Sequence, residues 1–430
     1  MKDERSGTLS ALSFGICTLG CRVNQYESDR IHSLLTSRGF VPAPFSGVCD
    51  VYILNTCTVT AESDRKCRQM IRRAHAQNEK APIFVCGCYS QMFPEEMKKF
   101  PFVTFFSGTK DKDKIADRIC EHFGIVPPPT DGETPILPQS ERVRAYIKIE
   151  DGCENKCAYC IIPFARGPVV SRDPCSIVKE AELISQQRQE IVLTGIETAS
   201  YGVDRKDTDL LDLFSRISAI DGIKRIRCGS LEPSLLKPAF TDRLAAFPKV
   251  MPFFHLSMQS GCDKTLARMR RRYNTGQILR NLSYLKDKIP SAAYAYDMIV
   301  GFPGESEEDF EQTLSFVRET RPSNIHIFTY SIRKGTEAAT MPGQIPEEIK
   351  IERSHRLASL RDSIRREQVE SFIESKTVFT LLAEQTRDGL TFGHTETFLP
   401  VAVRGAIAPN QTAAILLTDQ ENNTIYGSVQ

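Results

Sequence analysis

Three cysteines lie within eight residues of one another, in the run Cys153-Glu-Asn-Lys-Cys157-Ala-Tyr-Cys160. They follow a strand-like run that ends at Gly152. Three close thiolates suit a [4Fe–4S] cluster, and they leave one iron without a protein ligand, so that a substrate can bind there. A structural zinc site and a group of free thiols are the alternatives. Zinc normally takes four protein ligands, and no further His or Cys lies nearby in the sequence to complete such a set. The spacing therefore favours an iron–sulfur site.

Three other cysteines, Cys21, Cys57 and Cys88, each come at or just after the end of a strand-like run. In an open α/β sheet, ligands gather beyond the carboxyl ends of parallel strands, so three thiols at such positions could converge on a second cluster. Buried free cysteine is also common, and the residues alone leave both interpretations open. The remaining cysteines are expected to be buried thiols of that kind: Cys17, Cys49, Cys67, Cys86, Cys120, Cys175, Cys228 and Cys262.

The composition predicts a soluble protein with more than one domain. A chain of 430 residues, of which 41% are hydrophobic, can form more than one core. Lys and Arg number 55 against 54 Asp and Glu, so bulk charge does not indicate a nucleic-acid partner. We expect a cytoplasmic location, because neither a signal peptide nor a membrane-spanning apolar run is evident. In that reducing compartment the 14 cysteines predict metal ligation, catalysis or buried thiols rather than disulfides.

The first part of the chain, residues 12–125, predicts an open α/β sheet, because short apolar runs alternate with amphipathic stretches. The predicted strands are Ser13–Thr18, Val51–Asn55 and Pro82–Cys86, and the predicted helices include Asp29–Ser37 and Asp64–Gln77. A segment rich in proline and polar residues, 126–138, then breaks both periodicities and predicts an interdomain linker.

Residues 139–369 contain six strand-like runs, separated by stretches long enough for a helix, which predicts a (β/α) barrel or partial barrel. The runs are Ala145–Ile149, Ile191–Thr194, Arg225–Cys228, Phe253–Ser257, Ala293–Ile299 and Ile325–Tyr330, and a helical stretch over 351–370 follows them. Residues 371–430 contain five shorter runs with turns between them, the pattern of a small β-barrel. These runs are Thr377–Ala383, Leu390–Gly393, Phe398–Arg404, Thr412–Leu417 and Thr424–Gly427.

The spacing C-x3-C-x2-C after the first strand of a partial barrel resembles the radical SAM signature. The resemblance implies that S-adenosylmethionine (SAM) chelates the open iron of a cluster on Cys153, Cys157 and Cys160. Reductive cleavage would then give methionine and a 5′-deoxyadenosyl radical, which makes these cysteines catalytic. Two later segments resemble the SAM-contacting elements of such enzymes. They imply that Gly195 and Glu197 lie near the methionine part of SAM, and that Asp297 and Gly301 lie near its adenine. A tight turn after a strand is an equally good interpretation of each glycine.

The order of parts resembles the methylthiotransferases over nearly the whole chain: an α/β domain with Gly-Cys, Asn-Thr-Cys and Gly-Cys, a radical SAM core, and a small β-barrel similar to the RNA-binding TRAM domain. In that family, Cys21, Cys57 and Cys88 correspond to the ligands of an auxiliary cluster, so two [4Fe–4S] clusters are implied. Cys17 and Cys86 are close in sequence, but the Gly-Cys pattern matches Cys21 and Cys88.

The family resemblance also implies a chemistry and its partners. One SAM methylates a sulfur on the auxiliary cluster, the radical from a second SAM removes the hydrogen from C2 of an adenine, and the carbon radical captures the methylthio group. An unactivated aromatic C–H has no acidic proton, so acid–base catalysis would not suffice. The implied partners are tRNA, an electron donor such as a flavodoxin or ferredoxin, and a sulfur source, with no membrane.

The strings Thr18-Leu-Gly-Cys-Arg-Val-Asn-Gln-Tyr-Glu-Ser28, Asn55-Thr-Cys-Thr-Val-Thr60 and Gly87-Cys-Tyr-Ser-Gln91 look most like the branch that acts on N6-threonylcarbamoyladenosine (t6A) next to the anticodon, at position 37 of tRNA. Isopentenyladenosine of tRNA and an aspartate of a ribosomal protein are the alternative substrates within the family. An RNA-binding iron–sulfur sensor without enzyme activity is the alternative from another class.

Contacts with RNA are less clearly indicated. Residues 371–430 hold three basic against six acidic residues, which does not suit a phosphate-binding surface. Three basic clusters elsewhere are better candidates, although each is also consistent with a solvated helix face. The clusters are Arg65, Lys66, Arg68, Arg72 and Arg73; Arg268, Arg270, Arg271 and Arg272; and Arg353, Arg356, Arg361, Arg365 and Arg366.

Overall fold

The structure, a computed structural model, describes residues 11–110, 112–126, 142–422 and 424–430. The chain divides into two compact units. The first comprises Met1–Ser140 together with the short segment Phe164–Gly167, and the second comprises Glu141–Pro163 and Pro168–Gln430. Apart from Val126, the predicted linker over 126–138 lies outside the described residues. Among the helices that are described, none has the length and apolar character needed to cross a membrane.

The first unit is an α/β domain. Its described elements are β1 (Ser13–Thr18), α1 (Arg22–Ser37), β2 (Val41–Pro42), β3 (Val51–Thr56), α2 (Ala61–Gln77), β4 (Ile83–Gly87), α3 (Cys88–Met92), α4 (Pro94–Met97), β5 (Val103–Phe106) and α5 (Lys114–His122). The strands pair in parallel in the order β2-β1-β3-β4-β5. Helices α1 and α5 pack on one face of the sheet and α2 to α4 on the other, so β3 and β4 are buried along their whole length. The predicted open α/β sheet is confirmed.

The carboxyl ends of β1, β3 and β4 lie side by side in this sheet. Thr18 pairs with Asn55, and Thr56 pairs with Gly87, so the three strands end at one edge. In the order β2-β1-β3-β4-β5 the connections change direction between β1 and β3, which is the point where doubly wound sheets bind their ligands.

The second unit begins with a partial (β/α) barrel. Its strands and α-helices, as far as they are described, are β6 (Arg144–Lys148), β7 (Glu150–Asp151), α6 (Ile162–Arg166), β8 (Val170–Ser171), α7 (Pro174–Ser185), β9 (Glu190–Thr194), α8 (Leu210–Ser218), β10 (Arg225–Cys228), α9 (Pro238–Leu244), β11 (Phe253–Gln259), α10 (Asp263–Arg268), α11 (Thr275–Lys288), β12 (Ala293–Val300), α12 (Glu307–Thr320), β13 (Asn324–Thr329) and α13 (Glu347–Glu374). Only the first two residues of α6 belong to this unit, since Phe164–Gly167 is part of the first. Two parallel sheets, β10-β9-β6 and β11-β12-β13, are joined by bridges from Ile226 to Val250 and from Leu231 to Leu256. The predicted partial barrel is confirmed.

Five further strands follow the long helix α13 and close into a small barrel. They are β14 (Val378–Arg387), β15 (Leu390–His394), β16 (Pro400–Arg404), β17 (Thr412–Glu421) and β18 (Thr424–Val429), in the order β14-β15-β16-β18-β17. Their core includes Phe379, Val401 and Ile415. Arg225 and Arg227 of β10 pair with the buried Glu190 and also donate hydrogen bonds to backbone carbonyl oxygens of this barrel, so the strands pack within the second unit.

Several element boundaries differ from the predicted ones, and two of the differences have identifiable reasons. Helix α1 begins at Arg22 rather than Asp29, because its first turns bury polar side chains, among them Asn24 and Glu27, which hides the apolar periodicity. Strand β16 begins at Pro400 rather than Phe398, because Phe398 has a φ of 65°, a left-handed conformation that a strand does not accommodate.

Candidate iron–sulfur and SAM sites

Cys21, Cys57 and Cys88 meet at the carboxyl edge of the sheet in the first unit. Cys21 is the N-cap residue of α1, Cys57 directly follows β3, and Cys88 is the first residue of α3 after β4. A Cβ atom added at Gly20 would lie 2.9 Å from Cys57 Sγ, which places the Cys21 loop against Cys57. Burial, with smaller contributions from the charges of Cys88 and Cys21, raises the pKa of Cys57 to about 11, as expected of thiols that lie close together.

The neighbouring cysteines point elsewhere. Cys86 is fully buried in the core beneath α1 and α5, and Cys17 packs into the core on the opposite face of the sheet. Burial raises the pKa of Cys86 to about 12 and that of Cys17 to about 11. This arrangement supports the choice of Cys21 and Cys88 over Cys17 and Cys86, while the ligand role itself remains a prediction.

A buried ion network lies beside Cys88. The Glu27 carboxylate pairs with both Lys112 and Arg166, and all three side chains are at most 6% exposed. Lys112 Nζ also donates to Asn55 Oδ1 at 2.9 Å, and Arg166 donates to Asn24 Oδ1 at 2.5 Å. Burial raises the pKa of the Cys88 thiol, whereas the charges of Arg166 and Lys112 and a hydrogen bond from Arg166 lower it.

The charge of this network fits an iron–sulfur cluster on the three thiols. Lys112 and Arg166 bring two positive charges close to Cys88, in a place shielded from water. Burying positive charge is costly unless opposite charge accompanies it. A [4Fe–4S] cluster held by three thiolates is an anion, so its presence would offset that cost. Sequence reasoning missed both cations, because neither lies in a recognisable motif.

Cys153, Cys157 and Cys160 lie in the loop between β7 and α6 of the second unit. The loop is held by backbone and side-chain hydrogen bonds, including Cys160 N–H to Cys157 O at 3.1 Å and Asn155 N–H to Cys153 Sγ at 3.4 Å. Burial raises the pKa of Cys160 to about 12, with further contributions from the charges of Cys157 and Cys153. The structure therefore brings these three thiols together as well. Because each cysteine of a cluster binds a different iron, the thiols need not approach as closely as the ligands of a single ion.

Two buried carboxyl groups lie next to this loop. Glu150 Oε1 accepts a hydrogen bond from the Glu197 backbone N–H at 2.7 Å, and Oε2 of Glu150 has no hydrogen-bond partner among the described residues. Burial raises the pKa of Glu150 to about 8 and that of Glu197 to about 7. A Cβ at Gly195 would collide with the Glu150 carboxyl group, so only glycine fits there.

These groups fit SAM. An unpartnered, buried carboxylate oxygen requires a cation or a donor, and SAM carries an ammonium and a sulfonium group. Both carboxyl groups also contribute to the electrostatic environment of Cys153, which shows that they lie near the cluster loop. Sequence reasoning identified Glu197 and Gly195 but missed Glu150, the first residue of β7, which was read only as part of a strand.

Arg271 contacts the loop of Cys153, Cys157 and Cys160 rather than lying on an exposed, RNA-binding face. Its guanidinium group donates to Cys157 Sγ at 3.3 Å and to the Ser257 carbonyl oxygen at 3.2 Å. Its side chain is buried against Tyr273. A buried arginine at this position orients a thiolate and offsets its charge. It was expected only as a member of a basic cluster, so its burial is a correction to that expectation.

The two residues predicted near the adenine of SAM lie in different settings. Gly301 directly follows β12 and donates its N–H to Glu305 Oε2 at 2.6 Å, as a turn residue does. Asp297 lies within β12 rather than in the loop after it, and it accepts hydrogen bonds from His255 and His326. Burial raises the pKa of Asp297, but these hydrogen bonds outweigh burial and hold it at about 2. The assignment of Asp297 and Gly301 to SAM remains a prediction.

The side chains of the other basic clusters differ in exposure and in ion pairing. Arg353 is buried and pairs with Glu305, and Arg356 pairs with Glu307 and Glu311. These two guanidinium groups therefore contribute to the stability of the fold. On α2, by contrast, the side chains that remain exposed include Lys66, Arg72 and Arg73. Helix α2 is thus the better candidate for contact with RNA phosphates.

Comparison with known proteins agrees with this geometry. The model of the radical SAM superfamily matches residues 147–317, and the model described as uncharacterized protein family UPF0004 matches residues 13–108. A structure of the radical S-adenosylmethionine methyltransferase TsrM from Kitasatospora setae is similar with a TM-score of 0.54 and 15% identity, covering 77% of each chain, which shows likeness of fold. The fold and the cysteine loop thus define a radical SAM enzyme, with SAM and [4Fe–4S] as the cofactors of its class.

Curated relatives specify the family. Threonylcarbamoyladenosine tRNA methylthiotransferase MtaB of Bacillus subtilis is 38% identical, covering 90% of this chain and 89% of the relative. The tRNA-2-methylthio-N(6)-dimethylallyladenosine synthase of Pelotomaculum thermopropionicum is 34% identical, over 88% and 89%. The chain belongs to the family of radical SAM tRNA methylthiotransferases, as the sequence motifs predicted.

Proposed function

We propose that this enzyme converts t6A at position 37 of tRNA into its 2-methylthio derivative. The observation that carries the proposal is the pair of cysteine triads, one beside two buried cations and one beside two buried carboxyl groups. The 38% identity to a relative named for this substrate supports the choice of t6A. When bound, the cluster on Cys153, Cys157 and Cys160 and its SAM supply a 5′-deoxyadenosyl radical that can remove the C2 hydrogen.

The residues of the second unit bind and orient SAM. Glu150 and Glu197 offer carboxylate oxygens to the ammonium group, and the absence of a side chain at Gly195 lets the Glu150 carboxyl group lie against the backbone. Arg271 fixes the orientation of Cys157. Positioning of this kind matters because the radical must form within reach of its target carbon.

The residues of the first unit hold the group that carries the sulfur. Lys112 and Arg166 stabilise negative charge beside Cys88, and Asn24 fixes the Leu19 and Thr56 carbonyl groups that flank Cys21 and Cys57. The exposed basic side chains of α2 directly after Cys57 are the proposed phosphate contacts. A flavodoxin or ferredoxin as electron donor, a separate sulfur source, a TRAM-like role for the last barrel and a cytoplasmic location complete the proposal.

A second substrate has specific support. Several relatives at 33–35% identity are named for dimethylallyladenosine, so isopentenyladenosine is the competing substrate. Nucleoside analysis of tRNA by mass spectrometry, in cells that lack this protein, decides between the two. The proposal expects loss of the 2-methylthio form of t6A alone, with recovery when the wild-type gene is returned. Loss of the isopentenyl product with intact 2-methylthio-t6A would overturn it.

The two remaining alternatives are tested with purified protein. A ribosomal-protein modifying enzyme would leave tRNA nucleosides unchanged. An RNA-binding sensor would bind clusters without cleaving SAM, so anaerobic reconstitution followed by reductant-dependent formation of 5′-deoxyadenosine separates a sensor from an enzyme.

A further inference from the structure

His255, Asp297 and His326 form a cluster on three adjacent barrel strands. The three ligand atoms lie within 4.8 Å of one another. His255 Nε2 lies 2.8 Å from Asp297 Oδ1, and His326 Nδ1 lies 3.3 Å from the same oxygen. Asp297 is paired directly with His326 in the register of β12 and β13. The carboxylate thereby fixes one nitrogen of each ring, which determines the tautomer and orientation of both imidazoles.

The cluster faces away from the outer helices. On β12, Tyr294 donates to the Thr320 carbonyl oxygen of α12, and Tyr296 packs against Phe316 of the same helix. Since side chains alternate along a strand, Asp297 lies on the opposite, concave face of the partial barrel. His255 and His326 contact Asp297 and so share that face. The side chain of His326 is partly exposed, so a ligand can reach it.

The concave face also exposes apolar surface beside His326. Phe328 lies two residues further along β13, on the same face as His326, and is 43% exposed. The His326 side chain is itself 46% exposed although Nδ1 is held by Asp297. An aromatic ring left open to water next to an oriented imidazole is suited to a ligand that is part aromatic and part polar.

We propose that His326, held by Asp297 and His255, binds the carboxylate of the N6 substituent of the substrate adenosine, and that Phe328 packs against the base or the adjoining part of the substituent. This inference rests on the proposed function and extends it to the basis of substrate choice. With Nδ1 bonded to Asp297, the remaining nitrogen of His326 can bond to the ligand, and in the imidazolium form its N–H donates a charge-assisted hydrogen bond to a carboxylate.

The same cluster disfavours the competing substrate. An isopentenyl group has no polar atom to pair with His326, so binding it would desolvate the imidazole without compensation. Sites built to hydrogen-bond a polar group discriminate strongly against analogues that lack it. Two histidines and an aspartate can also bind a divalent metal ion, and such a metal site is one outcome of the test below.

The test measures binding of anticodon stem-loop oligonucleotides that carry t6A, isopentenyladenosine or unmodified adenosine. Full-length protein is titrated anaerobically and followed by fluorescence anisotropy. His326→Leu should weaken binding of the t6A oligonucleotide by about tenfold to a hundredfold, strengthen binding of the isopentenyl oligonucleotide, and change binding of the unmodified one by less than about twofold. His326→Gln, which keeps an amide donor, should recover part of the affinity. His355→Leu, at an exposed histidine of α13, is the matched control and should change nothing.

The outcomes separate this inference from the proposed function. If the wild-type enzyme prefers t6A and His326→Leu binds it equally well, the substrate site is wrong while the proposed function stands. If the wild-type enzyme modifies only the isopentenyl oligonucleotide, the proposed function itself fails. If His326→Leu lowers the zinc content of the purified protein by one equivalent and leaves RNA affinity unchanged, the cluster is a metal site and the inference is overturned.

Discussion

Replacing Glu27 with Gln should strongly destabilise the first unit of the cluster-free protein. Glutamine keeps the shape of the side chain but removes the negative charge that Lys112 and Arg166 share. Lys112 is 3% exposed and Arg166 is fully buried, so water cannot replace the lost partner. Breaking a buried ion pair by removing one member costs about 3–5 kcal/mol. We expect a loss of that size in the free energy of unfolding.

Hydrogen exchange is the appropriate assay, because it reports the first unit within the intact chain. Peptides from β1, β3 and β4 should exchange through global opening of this unit, so their protection gives its free energy of unfolding. Glu121→Gln is the matched control. Glu121 pairs with Arg118, and because both side chains are more than half exposed, its loss should change protection by less than about 0.5 kcal/mol.

Two further measurements test whether the network of Glu27, Lys112 and Arg166 acts through its charge. The double variant Glu27→Gln/Lys112→Met restores the original net charge of the network and should recover part of the stability that Glu27→Gln loses. Reconstitution with iron and sulfide should also reduce the effect of Glu27→Gln, because an anionic cluster compensates the two cations. The network does not act through its charge if Glu27→Gln lowers the free energy of unfolding by less than about 1 kcal/mol. The same conclusion follows if the double variant is less stable than Glu27→Gln alone.

Three other perturbations test the two cysteine triads and the buried carboxyl group of Glu150 beside the second triad. Replacing Cys21, Cys57 and Cys88 together with Ala should remove about half of the bound iron while SAM cleavage continues, whereas Cys17→Ala and Cys86→Ala should each retain both clusters and cost on the order of 1 kcal/mol, as measured by iron analysis and thermal unfolding. Cys153→Ala, Cys157→Ala and Cys160→Ala should each abolish 5′-deoxyadenosine formation, and product from all three variants would rule out the barrel assignment. Glu150 has a pKa raised by burial to about 8, so the folded apoprotein keeps a proton that the unfolded chain loses near pH 4.5. The contribution of Glu150 to the free energy of unfolding should therefore fall as pH rises towards about 8 and level off above it. Glu150→Gln should reduce the fall seen in urea titrations at pH 6 to 9, and the part due to Glu197, whose pKa is raised to about 7, should remain.

The sequence predicted the strands well where burial is continuous. The predicted runs Val51–Asn55 and Pro82–Cys86 match the fully buried strands β3 and β4 to within one residue at each end, because apolar side chains dominate both strands. The start of α1 was not predictable, since the buried side chains of its first turn include polar ones. Their burial depends on partners that are distant in the chain: Glu27 pairs with Lys112 and Arg166, which lie 85 and 139 residues away.

The candidate sites were predictable in part for the same reason. The cysteines stand out because few residue types bind iron and because their spacing is local or follows strand ends. Glu150 and Arg271 do not stand out, because a glutamate near a strand end and an arginine in a basic run have many ordinary uses. Only their burial, beside Gly195 and Cys157 respectively, marks them as functional. His255, Asp297 and His326 likewise come from three separate strands that only the barrel brings together.

The charges around the two triads support the different tasks proposed for them. Cys88 lies beside Lys112 and Arg166, which favour an anionic group and tend to keep the thiolates and any added sulfur negatively charged. Cys153 lies beside Glu150 and Glu197, whose pKa values burial raises although Lys148 lowers the first and Arg271 the second, so a further positive partner would stabilise both carboxylates. SAM, with its ammonium and sulfonium groups, supplies such a partner, whereas a sulfide or methylthiolate would be repelled. Exchanging the tasks would bring like charges together at both sites, so the electrostatics support the proposal that the radical forms at the triad of the second unit and that sulfur is transferred from the triad of the first.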